Sequence, residues 1–142
     1  MIKKVLLFLL GLGFVYGVLF AIDVLTVPTT TPEQTALAEE YVLKNQKKLP
    51  PTAFYHDGCT AFPDNFPGHD FYSTCLHHDI AYWVGGEEAE RQNVNQVFKM
   101  EMSETGPLGP LLAPILYFAV HHGGDNIISE LLGSEWGYGW NE

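Results

Sequence analysis

The sequence predicts a small, mainly α-helical domain preceded by one apolar N-terminal helix, with two of its helices forming an antiparallel hairpin beside a long irregular loop. Three observations carry this reading. With 142 residues, 46% of them hydrophobic and 17% charged, the chain suffices for one folded core plus a terminal segment and lies outside the disordered class. Residues 5–22, VLLFLLGLGFVYGVLFAI, hold no charge in 18 residues. Helical periodicity then runs on both sides of Gly85-Gly86, after a stretch from Ala53 to Tyr72 that has none.

Residues 1–25 form a membrane anchor or signal segment. Eighteen apolar residues at 1.5 Å each span about 27 Å, close to a hydrocarbon core of ~30 Å. A cleavage site wants small residues, and the best candidate, Leu19-Phe20-Ala21, contains a large one, which favours a retained anchor. Lys3 and Lys4 place the short N-terminal side in the cytoplasm, so the domain faces the periplasm or the exterior, and is secreted if the segment is cleaved. That compartment favours a disulfide between Cys59 and Cys75, with two free thiols as the alternative. Residues 26–32 are a Thr/Pro linker, expected to be extended, and 33–142 are the domain.

Within the domain, Thr31-Pro32-Glu33-Gln34 combines an N-cap, a proline at the first helical position and a capping-box glutamine, so a helix is expected there, with Pro50-Pro51 ending it. Ala53 to Tyr72 is dense in Gly, Pro, Asp and aromatics, the composition of a long loop of functional use. Ser73 or Thr74 is suited to cap a helix through CLHHDIAYWV that stops at Gly85-Gly86. The next helix starts at Glu87 and Glu88 and reaches about Ser103, its stripe Arg91, Asn95, Phe98, Met102 facing the first. After Gly106-Pro107-Leu108-Gly109-Pro110, the segment LLAPILYFAVHH reads as a short core helix interrupted or started by Pro114. Trp136, Tyr138 and Trp140 suit a membrane interface or packing on the domain.

Seven Lys+Arg against 17 Asp+Glu give −10, and since Lys3 and Lys4 precede every acid, the part from Asp23 onward carries five bases against 17 acids, or −12. Such a surface excludes a nucleic-acid binder that works by neutralising phosphates. No protein partner is indicated by the sequence.

Cys75, His78, Asp79 and Tyr82 stand at i, i+3, i+4 and i+7, one face of a helix. A disulfide to Cys59 would strap the preceding loop over that face. A carboxylate beside a loop rich in peptide carbonyls suits a hard cation such as Ca²⁺, whereas zinc would want a second Cys or His pattern. His77-His78 with Asp79, and His121-His122 with Asp125, are the alternatives for a transition metal or catalytic cluster. For the second, polar residues at a helix end are the simpler reading. Glu87, Glu88 and Glu90 read as a solvated helix start. Phe54, Tyr55, Phe62, Phe66, Phe71 and Tyr72 suit either an acyl-chain channel or an aromatic core.

Asp57-Gly58-Cys59, Pro63-Asp64-Asn65 and Cys75-Leu76-His77-His78-Asp79-Ile80-Ala81-Tyr82, a C-x-x-H-D-x-x-Y run, resemble the phospholipase A2 family in its bacterial and fungal secreted branch, over roughly residues 57–98. The resemblance implies calcium-dependent hydrolysis of the sn-2 ester of glycerophospholipids in a membrane. His78 would activate the attacking water. Asp79 would hold Ca²⁺ together with loop carbonyls near Gly58, Thr60 and Phe62. Tyr82 would be a supporting hydrogen-bonding group, and Cys59 and Cys75 would be bridged. One departure stands out: where the microbial enzymes place an Asp that orients the histidine, three residues before a Phe, this chain has Asn95 before Phe98. An amide oxygen can hold the imidazole tautomer but adds no charge. Asp125, His121 or Asp57 are the residues that would substitute. The alternative is a catalytically weakened calcium- or lipid-binding module of the same scaffold, with an unrelated metal-binding envelope protein as a third class.

Overall fold

The computed structural model describes residues 30–56, 58–59, 62, 64–66, 68–123 and 135–140. The N-terminal segment 1–25 and most of the linker lie outside the described residues. No helix among the described residues is long and apolar enough to cross a membrane. The chain is mainly helical: α1 (Pro32–Lys44), a two-strand ribbon of β1 (Asn65–Phe66) and β2 (His69–Asp70), α2 (Tyr72–Val84), α3 (Glu88–Glu104), α4 (Gly109–Gly123) and a 3₁₀ turn (Tyr138–Trp140).

α1 begins as its sequence dictates. The Thr31 side chain accepts from Gln34 N, and the Gln34 side chain accepts from Thr31 N, with Pro32 in the first turn. It ends sooner than the expected stop at Pro50-Pro51. Asn45 caps it and Gln46 takes the left-handed conformation (φ 53°), so the chain turns away five residues before the prolines. Ala38 and Val42 form its buried side, while Leu37 stays exposed.

The 53–72 stretch is a loop apart from the short ribbon, in which Asn65 pairs with Asp70 and Phe66 with His69. α2 starts at Tyr72 without a side-chain bond from its own N-cap residue Phe71. The expected caps Ser73 and Thr74 lie inside the helix. Asp70 takes the role instead, accepting from Ser73 N (3.4 Å) and Ser73 Oγ (3.0 Å).

α2 stops at Gly85, whose φ of 64° and ψ of −163° is glycine's territory, and α3 opens with a reciprocal Glu87/Glu90 capping box. Contacts pair His77 with Glu101 and Tyr82 with Asn95, so the two helices run antiparallel as expected. All four residues of the predicted α3 stripe are buried. α4 packs most extensively on α3 and runs unbroken through Pro114. The residue before it, Leu108, is held by its N–H donating to His69 Nε2 (2.8 Å).

α2 separates two apolar clusters. Leu76, Ile80, Trp83 and Val84 face Ala38, Val42 and Phe54, while Cys75 faces Phe71, Phe98, Met102 and Ala113. Phe54 and Phe71 are thus core residues, whereas Tyr55 is exposed and Phe62 and Tyr72 are half-buried. The C-terminal aromatics pack on the domain: Trp140 Nε1 donates to Val84 O (2.8 Å) and Trp136 Nε1 to Gly86 O (2.9 Å). These bonds satisfy carbonyls at the C-terminal end of α2 and in the turn after it.

Candidate active site

Helical spacing puts Cys75, His78 and Tyr82 on the side of α2 that meets α3. Asn95 sits opposite them, completely buried. Its Oδ1 receives two bonds, from Tyr82 OH (2.9 Å) and from His78 Nε2 (3.0 Å). Because an amide oxygen only accepts, Nε2 carries the hydrogen, and in neutral imidazole Nδ1 keeps its lone pair. Ring contacts with Tyr82 (4.2 Å) and Phe98 (4.7 Å) fix the plane of His78. Nδ1 lies on the Asp79 side, 3.9 Å from Oδ1. Tyr82 OH also reaches Val120 O on α4 (3.4 Å), so three helices meet at this group.

Asp79 is the more accessible partner, and its Oδ2 accepts from Nδ1 of His56 at 2.7 Å. His56 was not legible as a participant. It lies in the aperiodic stretch, 23 residues from Asp79, and only folding places it there. Its ring is wholly buried against Tyr72 (4.9 Å), and its backbone N–H donates to Thr30 Oγ1 (2.9 Å), which ties the linker to the site. Burial, reinforced by the negative charges of Asp64 and Asp79, holds the Tyr72 phenol above its usual range, against the lowering effect of the bond from Gln34. Tyr72 therefore stays protonated.

Cys59 and Cys75 form a disulfide, which strings the loop across the start of α2. Gly58 (φ 83°) precedes it, and a Cβ there would stand 2.7 Å from Asp64 Oδ2. Asp64 in turn accepts from Cys59 N (2.7 Å), and Phe62 N donates to Cys59 O (2.7 Å). Cys59, Phe62 and Asp64 thus share hydrogen bonds that close on the Asp64 carboxylate, a role that periodicity does not announce. Phe62 packs edge-on against Phe71 (5.2 Å). Of the expected cation contacts, Gly58 and Phe62 lie on the loop that the disulfide joins to α2 and Asp79 lies on α2 itself, and Thr60 lies outside the described residues, as do Asp57 and Asp125.

Among the described residues no three His, Cys, Asp or Glu side chains gather as a metal cage. A cation here would rest on one carboxylate and on peptide oxygens, a donor set that fits a hard ion such as calcium and not zinc. His77, exposed, pairs with Glu101 (3.2 Å) on the outer side of the hairpin. His121 stacks on Tyr117 (5.2 Å) at the end of α4, where its carbonyl accepts from Arg91. Exposed Glu88 is bound by both Nε and Nη2 of the buried Arg91 at 2.8 Å, and Glu90 by Lys47, which makes both acids members of ion pairs.

No family model, no curated protein and no solved structure matches the chain.

Proposed function

We propose that this protein is a phospholipase A2-like hydrolase of glycerophospholipid sn-2 esters, acting from a membrane-tethered domain outside the cytoplasm. The observation that carries the reading is the bond from His78 Nε2 to Asn95 Oδ1, with Tyr82 on the same oxygen. It dedicates one ring nitrogen to anchorage and keeps the other as a base beside Asp79. In this mechanism His78 Nδ1 takes a proton from water as that water attacks the ester carbonyl, and later returns it to the leaving alkoxide. No acyl-enzyme forms. Asn95 and Tyr82 hold the ring, and Asp79, with carbonyls near Gly58, Thr60 and Phe62, would hold Ca²⁺. The ion supplies positive charge for the lipid phosphate and for the oxyanion of the tetrahedral state.

The test is hydrolysis of mixed phospholipid micelles by the full chain, with calcium and with EDTA, identifying fatty acid and lysolipid. Calcium-dependent release of the sn-2 chain is expected, with His78→Gln reducing it by about 10³-fold or more at unchanged helical circular dichroism. Undiminished turnover in that variant would overturn the assignment.

Two observations favour a second reading, a lipid- or calcium-binding module of weak activity. Asn95 gives an imidazolium no negative counter-charge, and one Asp79 oxygen is already engaged by His56. A folded chain that binds calcium but releases no fatty acid would select it.

A further inference from the structure

α4 contains no Asp, Glu, Lys or Arg in its 15 residues, in a domain that carries −12 from Asp23 onward. Its two faces differ. Ala113 is buried and Leu112, Leu116 and Val120 pack against the cluster around Phe98 and Met102, so the inner face walls the site. Leu111, Ile115 and Phe118 lie on the other side at i, i+4 and i+7, and are 66%, 61% and 65% exposed. Exposed apolar residues elsewhere, such as Leu43 and Met100, stand among charged ones. An apolar stripe of this kind, on a domain of strongly negative net charge whose nearby cation Lys99 lies over Tyr117, marks a contact.

Two features of the chain indicate what makes that contact. The uncharged 18-residue run 5–22 is long enough to sit in a bilayer. Thr30, bonded to His56, follows it after seven intervening residues, which extend no more than about 25 Å. The domain would thus be held within about its own diameter of the lipid. A second copy is a poorer occupant, since each brings −12 and three side chains on one helix fall far short of the ~800 Å² per partner of a stable interface.

We propose that the outer stripe of α4 is the surface on which the domain rests on a bilayer, and that it favours zwitterionic over anionic lipid. Helices that lie on anionic membranes flank their apolar face with Lys and Arg, and α4 has neither. The apolar contact is therefore the attraction, and the net charge acts against an anionic headgroup layer. This rests on the lipid reading above for its partner and adds the headgroup class.

The experiment uses the full chain with His78→Gln, to prevent lipid turnover, reconstituted in nanodiscs of phosphatidylcholine with brominated acyl chains. Added tryptophan at Phe118→Trp is expected to lose about half its emission or more, relative to the chain without it, whereas Glu40→Trp on α1 is unaffected. Replacing about a third of the lipid by phosphatidylglycerol at ~10 mM salt should reverse most of that quenching, and ~0.5 M salt should restore it. Equal emission at both positions, or quenching indifferent to phosphatidylglycerol, would overturn the proposal. The readout involves no hydrolysis, so its outcome is separable from that of the activity assay.

Discussion

Asn95 is the side chain on which α2 and α3 meet at the proposed site. Its oxygen collects two donors, while its Nδ2, equally buried, has no hydrogen-bond partner among the described residues. The two halves of the amide thus make opposite predictions for Asn95→Asp. On the His78 side a carboxylate keeps both bonds and adds the charge that an imidazolium lacks, so turnover per folded molecule should rise by about 10-fold or more. On the other side a carboxylate oxygen enters a dry site with nothing to donate to it, which should cost about 1–3 kcal/mol of stability at neutral pH. Steady-state kinetics and thermal unfolding on the same variant read both, and unchanged turnover would mean that the missing charge is not what limits catalysis. Periodicity predicted Asn95 to point inward because a helix presents every third or fourth residue to one neighbour. It offered no means of finding His56 or Asp64, whose roles depend on how an aperiodic loop closes.

At the scale of the element, the Gly85-Gly86 turn shows how far local sequence reaches. The glycines announced the end of α2, but their second use is tertiary: a Cβ on Gly85 would stand 2.5 Å from the Cα of Gly137, and Gly137 N donates to Tyr82 O (2.7 Å). Gly85→Ala therefore meets both a positive φ and a backbone it cannot displace, and should cost about 2–4 kcal/mol by denaturant titration. Trp140→Phe, which removes the N–H to Val84 O and shrinks the ring that Lys48 lies over, should cost about 1–2 kcal/mol. The early end of α1 was invisible for a related reason, since Asn45 and Gln46 form its terminus without a glycine or proline to signal it. At the start of α3, the hydrogen bonds from Arg91 and then Gln92 lower the Glu88 carboxyl to about 2. Its folded value lies below the usual 4.5, so its contribution is present above about pH 4.5 and is lost as the pH falls toward 2. Thermal scans across that window should fall more steeply for the native chain than for Glu88→Gln.

On the scale of the whole molecule, the helical class and the hairpin followed from composition and period, whereas the division into two clusters did not. α2 separates them because residues on its opposite sides are both apolar, a pattern that reads only as a buried helix until its neighbours are known. The disulfide joins the irregular half of the domain to that helix, across 16 residues. Closing a loop of this length stabilises by about 3 kcal/mol in the chain-entropy account, so reduction should lower the melting temperature by about 10–20 °C. The loss should fall unevenly. His78, Asn95 and Tyr82 are held by helix-to-helix packing and should keep their geometry, while Gly58, Cys59 and Phe62 would lose their tether. The expected result of reduction below the melting point is therefore a chain with near-native helical circular dichroism and faster amide exchange in residues 56–71. On the proposed function, calcium affinity should weaken with it. Uniform loss of protection across α2 and α3 would instead show that the loop is part of what holds the hairpin together.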